Sequence, residues 1–244
     1  MLFVPYFIGE RSRDAARLGP AEYVEPALPA SPPMDRVAVL YADLAQRVAS
    51  GGESRVQAGD CMATLGVAAG LQQSGIDPHL IWLDAHGDFN TWDTTPSGFL
   101  GGMPLAMMVG LGEQTVVEAV GLRPLAADRV WLVGARDLDP GERDNLARAR
   151  IRQLEVDELA RADLPEGPLY VHFDVDLLDP GEMPALDFPA PGGPTSAEVR
   201  QALDHVFAEG SVAGFSFVGW NPDFSDAERA RALARELVRD LLLS

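Results

Sequence analysis

Two short acidic blocks carry the chemistry this chain can do: Asp84-Ala85-His86-Gly87-Asp88 and, well downstream, Asp174-Val175-Asp176. Each follows an aliphatic and aromatic run that reads as a strand, His79-Leu80-Ile81-Trp82-Leu83 before the first and Leu169-Tyr170-Val171-His172-Phe173 before the second. Alternate residues of a strand point to one face, which predicts that Asp84, His86 and Asp88 converge, with Asp174 and Asp176 opposite them. Carboxylates facing one another in a crevice repel and desolvate badly unless a cation sits between them. A divalent metal, or a pair of them, is the natural filler, and oxygen-rich ligands with one imidazole favour a hard ion such as Mn²⁺. A solvated acidic turn would account for one block, but not for two alternating clusters at strand ends.

The elements that must position these blocks alternate from end to end. Strand-like runs exchange with helical patterns, the signature of a parallel sheet covered on both faces. The first run is Leu2 to Ile8. A Pro-rich connection (residues 26–33) leads into a helix with Val37, Leu40, Tyr41, Leu44 and Val48 on one face. A short strand at Arg55 to Ala58 and a small-residue helix at Met62 to Gln73 follow. Another strand runs from Asp128 to Val133. After Asp176 comes a long Pro/Gly-rich loop (residues 179–194), whose helix opens with the capping-box pattern Thr195-x-x-Glu198. Val212 to Val218 is the last strand, and Ser225-x-x-Glu228 opens a final helix with Leu233, Leu237, Val238 and Leu241 on one face. Both acidic blocks therefore fall at the carboxyl ends of strands, where open α/β sheets bind ligands. No repeat, low-complexity linker or composition break divides the chain, so residues 1–244 are expected to form a single domain.

Bulk properties narrow the function. A net charge of −18, with a pI near 4.4, argues against nucleic acid and anionic membranes as partners. Every cationic side chain is arginine, which excludes lysine Schiff-base chemistry and a P-loop lysine. Cys61 is the single cysteine, so no intramolecular disulfide can form. The apolar start, Met1 to Ile8, is short and lacks a basic flank, and it reads as a buried strand rather than a signal peptide. A soluble cytoplasmic protein acting on a small molecule is the expectation.

Asp84-Ala85-His86-Gly87-Asp88-Phe89-Asn90 together with Asp174-Val175-Asp176-Leu177-Leu178-Asp179-Pro180 resembles the ureohydrolase family of arginase, agmatinase and their relatives, whose blocks read D-A-H-x-D-x-N and D-x-D-x-x-D-P. Gly59-Asp60-Cys61 sits where the family has G-D-H. Arg136-Asp137-Leu138-Asp139-Pro140-Gly141-Glu142 resembles an arginase loop. Gly192-Gly193, Asn221-Pro222 and, more weakly, Leu18-Gly19-Pro20-Ala21 also fall in familiar places. The resemblance implies an arginase-like three-layer α/β/α fold with a mostly parallel eight-stranded sheet, and commonly a homo-oligomer, trimer or hexamer.

It also implies a chemistry, in which two Mn²⁺ ions activate a hydroxide that attacks a guanidinium carbon. Carried over residue by residue, one ion would take Asp84, His86, Asp174 and Asp176. The other would take Asp84, Asp88, Asp174 and the residue at Cys61. A thiolate there suits Zn²⁺ or Fe²⁺ better than Mn²⁺, while a buried bystander cysteine is the other reading. Asp88 is placed to accept a proton or orient the nucleophile. Asn90, Thr95, Ser97 and Asp139 match the residues that hold an amino acid's α-carboxylate and α-amino group, although Asn, Thr and Ser are also ordinary turn residues.

Two positions depart from the pattern. The family's proton-transfer histidine in the loop after the first block is Gly101 here, and its guanidinium-pairing glutamate before the last N-P is Gly219. Glycine does neither job, and Phe99, Trp92 and Trp220 are expected to fill the freed space with apolar bulk. His79 and His205 read as structural or surface residues. His172 shares a face with Asp174 and Asp176 and is the reserve candidate for a ligand or a group behind one. Three functions follow: a metal-dependent hydrolase cutting a C–N bond in a linear amidine or amide, a mononuclear amidohydrolase using one ion, or a catalytically inactive ureohydrolase-fold binding module.

Overall fold

The computed structural model describes residues 1–12, 17–52 and 54–243. In chain order the elements begin with β1 (Leu2–Val4), β2 (Tyr6–Phe7), β3 (Glu10–Arg11), β4 (Glu22–Tyr23), α1 (Pro33–Gly51) and β5 (Arg55–Ala58). Then come α2 (Ala63–Gln73), β6 (His79–Leu83), α3 (Pro104–Met108), α4 (Thr115–Val120), β7 (Val130–Val133), α5 (Pro140–Ala149) and β8 (Arg152–Leu154). The chain ends with α6 (Val156–Leu159), β9 (Pro168–Asp174), α7 (Ser196–Glu209), β10 (Ser211–Val218) and α8 (Ala227–Leu243). Eight strands form one sheet in the order β4-β1-β5-β10-β9-β6-β7-β8, and every pairing in it is parallel.

Two apolar layers cover the sheet. On one face, the even-numbered residues Leu80, Trp82, Leu132 and Tyr170 pack with Val37, Leu40, Tyr41 and Leu44 of α1 and the buried side of α2. On the other face, Ile81, Leu83, Val171, Phe173, Phe215 and Phe217 pack with Val199 and Leu203 of α7 and Ala234, Leu237 and Val238 of α8. Continuous aliphatic strands buried on both sides are what a parallel sheet with crossover helices requires. The expected three-layer α/β/α architecture is the one observed.

Several local expectations change. The first apolar run does not continue as one strand: β1 stops at Val4, and β2 turns back on β3 as a small antiparallel hairpin. Ile8 and Gly9, both at positive φ, make that turn. β6 ends at Leu83, so the first acidic block lies beyond the strand, and the helices between residues 104 and 159 carry patterns too short to read by periodicity. The final helix starts at Ala227.

The register sets the site. Leu83 pairs with Phe173 and Val218 pairs with Asp174. Asp84, Asp174 and Gly219 therefore leave the carboxyl edge of the sheet side by side. Phe217 pairs with Gln57, which brings the loop carrying Asp60 and Cys61 to the same edge.

Candidate metal centre

The two acidic blocks meet, but not by strand alternation. Beyond Leu83 the chain turns so that His86 N donates to Asp84 Oδ1 at 2.7 Å, and Asp88 takes a left-handed φ of 47°. In the second block Asp174 ends β9, and its side chain caps the 3₁₀ turn that follows by accepting from Asp176 N at 2.9 Å. Short turns, rather than a pleat, aim the carboxylates at one point. The result is a cavity of about 540 Å³ whose wall includes Cys61, Asp84, His86, Asp88, Asp174 and Asp176.

His86 is the hinge between the blocks. Its Nδ1 lies 3.1 Å from Asp176 Oδ2 and 3.4 Å from Asp84 Oδ1. Burial works against a charge on the ring, yet hydrogen bonds to Asp176 and Asp84 outweigh it and push its pKa up to about 12. Asp84 is buried, but His86 holds its carboxyl below the usual range. Its Oδ2 accepts from Trp82 Nε1 at 3.0 Å.

The remaining carboxyls are under strain of charge. Burial, followed by repulsion from Asp84, pushes Asp176 up to about 7. Burial with the neighbouring carboxylates pushes Asp174 and Asp88 well above the ordinary carboxyl range. Asp88 Oδ2 is buried without a hydrogen-bond partner among the described residues. Ligand atoms of Asp84, His86 and Asp176 lie within 4.8 Å of one another. A cation between them would lift the repulsion among the carboxylates and replace the proton on His86, so the residues present fit a divalent metal.

Cys61 Sγ donates to Asp174 Oδ2 at 3.1 Å. Burial and the carboxylates around it push the thiol pKa well above its ordinary value, so in the absence of a metal it is protonated. Asn90, Thr95, Ser97 and Asp139 all line the same cavity. Asn90 Nδ2 donates to Asp139 Oδ2 at 2.9 Å. Thr95 Oγ1 and Ser97 Oγ cap the turn by accepting from Gly98 N and Phe99 N.

Of the aromatic residues expected to fill the glycine positions, only Phe99 does so. A Cβ on Gly101 would come 2.4 Å from the Phe99 ring, whereas at Gly219 it is Asp174 that occupies the space. Trp92 is exposed and donates to Glu113. Trp220 leans on Phe217, outside this cavity. Phe99 instead joins Phe7 and Phe188 at the mouth, with ring centroids 6.1 and 5.1 Å away.

Three groups were not singled out as site residues by their sequence pattern. Glu142 is buried in the cavity wall, accepts from Phe89 N at 2.8 Å, and is pushed by burial up to about 7. The signal for it was the capping box Asp139-Pro140-Gly141-Glu142. Asp60 accepts from Ile8 N and Tyr41 Oη, both at 2.7 Å; burial outweighs these bonds and pushes it up to about 6. Arg136 staples the loop after the second block to the sheet edge, donating to Leu177 O at 2.9 Å and Ala190 O at 2.7 Å. His79 sits at the opposite, amino end of β6, and His205 is held by Ala162 O at 2.9 Å on α7, so neither joins the cluster.

Residues 15–244 match the family model described as Arginase family. An arginase from Bacillus subtilis is 32% identical over 200 residues, 77% of this chain and 68% of the relative. An N(omega)-hydroxy-L-arginine amidinohydrolase from Streptomyces lavendulae is 34% identical over 184 residues, covering 73% of this chain but 65% of the relative. A crystal structure of arginase from Bacillus subtilis superposes with a TM-score of 0.84 at 27% identity, over 100% of this chain and 97% of that one. With the family matched over almost its whole length, the chain belongs to the arginase family.

Proposed function

We propose that residues 1–244 act as one ureohydrolase-like domain, a metal-dependent hydrolase that cuts a C–N bond in a linear amidine or amide. The observation that carries this reading is the convergence of Asp84, His86 and Asp176 within 4.8 Å at the floor of an open cavity. Mn²⁺ suits this oxygen-rich set with one imidazole. A bound divalent cation there supplies Lewis acidity and lowers the pKa of water at the site.

The chain's own residues provide the rest. Asp88, buried and with one oxygen unpartnered among the described residues, faces the cavity and is placed to take a proton and return it to the leaving nitrogen. Asn90, Thr95, Ser97 and Asp139 form the polar wall that orients the substrate's far end. Phe7, Phe99 and Phe188 form its apolar mouth. Asp137, Asp139 and Asp187 also line the cavity, so a cationic amidine with an apolar substituent suits it better than an anion.

The two glycine positions separate this chain from an enzyme that grips guanidinium through a glutamate. A carboxylate side chain at position 219 would have to displace Asp174, whose Oδ1 lies 1.8 Å from where that side chain's Cβ would stand. A homo-oligomer, trimeric or hexameric, and a cytoplasmic location belong to the same reading. No helix among the described residues is long and apolar enough to cross a membrane.

The test is turnover of a panel of amidines, guanidines and amides by protein reconstituted with Mn²⁺, with released ammonia, urea or amine as readout. Turnover by the wild type, lost in Asp84→Asn, is expected. No turnover of any member by protein with a full metal complement would leave a metal-holding binding module.

A further inference from the structure

His172 lies beneath the acidic cluster on the sheet face covered by α1 and α2. It is fully buried and packs on Trp82, with ring centroids 4.2 Å apart. Its Nδ1 is 2.8 Å from Ser216 Oγ, which in turn is 2.7 Å from Tyr170 Oη. Its Nε2 is buried without a partner among the described residues. A packed core histidine satisfies both nitrogens, because an orphaned one keeps its desolvation cost with no bond to offset it. Here only one is satisfied.

The open nitrogen has company. A ring nitrogen of His172, Cys61 Sγ and a carboxylate oxygen of Asp84 lie within 4.8 Å of one another. Since Ser216 engages Nδ1, Nε2 is the nitrogen free to serve. Asp174 Oδ2 stands 3.1 Å from the same sulfur. Ligand atoms of a tetrahedral zinc site are separated by roughly 3.3–3.8 Å, so small rotations of these side chains close the set. The donors reach one point from β9, from the loop after β5 and from the turn after β6.

We propose that His172 completes the second of the two metal positions the family resemblance implies, joining Cys61, Asp84 and Asp174 there in place of Asp88, and that this position takes a borderline divalent cation such as Zn²⁺ or Fe²⁺ in preference to Mn²⁺. One nitrogen, one sulfur and carboxylate oxygens are the donor set such ions favour. The Ser216–Tyr170 pair fixes the ring, with Nδ1–H donating to Ser216 Oγ and the Nε2 lone pair turned to the ion. Loading displaces the Cys61 thiol proton to solvent. Asp84 belongs to both this group and the Asp84–His86–Asp176 group, so the two positions share a carboxylate. The inference rests on reading the cavity as a metal centre.

The experiment is titration of the chelator-stripped protein with Co²⁺ under anaerobic conditions, followed by Zn²⁺ loading and metal analysis. Expected are a thiolate-to-cobalt charge-transfer band in wild type, absent in Cys61→Ser, and loss of one Zn²⁺ per chain in both Cys61→Ser and His172→Gln. Ser216→Ala, which keeps every ligand, should weaken that equivalent by about 10-fold or more. X-ray absorption of the Zn²⁺-loaded wild type needs no variant and should show sulfur in the coordination shell. A shell without sulfur, no charge-transfer band, and zinc lost only with Asp176→Asn would overturn the proposal while keeping the metal centre. No binding of either ion would overturn both.

Discussion

The Asp174 carboxylate fills the space that a side chain at Gly219 would need. A Cβ on Gly219 would lie 1.8 Å from Asp174 Oδ1, and the glycine's φ of 109° is one that other residues rarely adopt. The pairing of Val218 with Asp174 brings the two together. A candidate metal ligand has thus taken the space where the resemblance would place a guanidinium-binding side chain.

Gly219→Ala is therefore expected to be severe. Displacing a buried carboxylate and straining the backbone should cost about 2–5 kcal/mol, and the metal bound per chain should fall with it. Urea denaturation and metal analysis of the variant check this. Wild-type stability with a full metal complement would mean that Asp174 moves aside freely.

Gly101 presents the opposite case, since its close neighbour is the ring of Phe99, a movable side chain. Gly101→His should displace that ring and cost about 1–3 kcal/mol of overpacking. Adding Phe99→Ala should recover most of it. A double-mutant cycle in thermal melts measures the coupling, and additive effects would show that Phe99 does not fill the space.

Stability of the metal-free protein should fall as pH rises. The carboxyls of Asp60, near 6, and of Asp176 and Glu142, near 7, hold protons that the unfolded chain would release at about pH 4. Their contribution is complete below that value and is lost as pH climbs to about 7. His86, pushed up to about 12, adds a contribution of the same sign, whole below about pH 6.5 and fading above it. A divalent cation supplies what the protons supplied. The gap in melting temperature between metal-loaded and chelated protein should widen from about pH 5 to about pH 8. A gap that stays constant across that range would contradict this account.

Arg136 should behave as a structural clamp. Its guanidinium donates to backbone carbonyls of Leu177, Ala190 and Pro191. Arg136→Ala should cost about 2–4 kcal/mol, with proteolytic cleavage within residues 179–194 as the earliest sign. Arg136→Lys should rescue little, because a point charge cannot span the carbonyls that the planar fork reaches. Cleavage of Arg136→Ala at the wild-type rate would rule the clamp out.

The architecture and the identity of the charged cluster are legible in the residue pattern alone. Aliphatic runs buried on both faces, alternating with amphipathic helices such as the one carrying Val37, Leu40 and Leu44, specify a parallel sheet between helical layers. Two acidic blocks at strand ends specify where charge gathers. Both are local facts, written in spacing of two and of three to four residues. How the carboxylates converge was not local. Asp84 lies past its strand, and Asp88 lines the cavity from a left-handed backbone conformation. The neighbours of Gly101 and Gly219 were not local either. One is a ring two residues away that folds back, and the other is a carboxylate from a strand paired only in three dimensions. His172 makes the same point. Alternation placed it on the right face, but only the assembled sheet, with Ser216 on β10 and Cys61 beyond β5, left one of its nitrogens satisfied and the other facing sulfur and carboxylate. Such contacts depend on strand order and register, which a residue's chain neighbours do not encode.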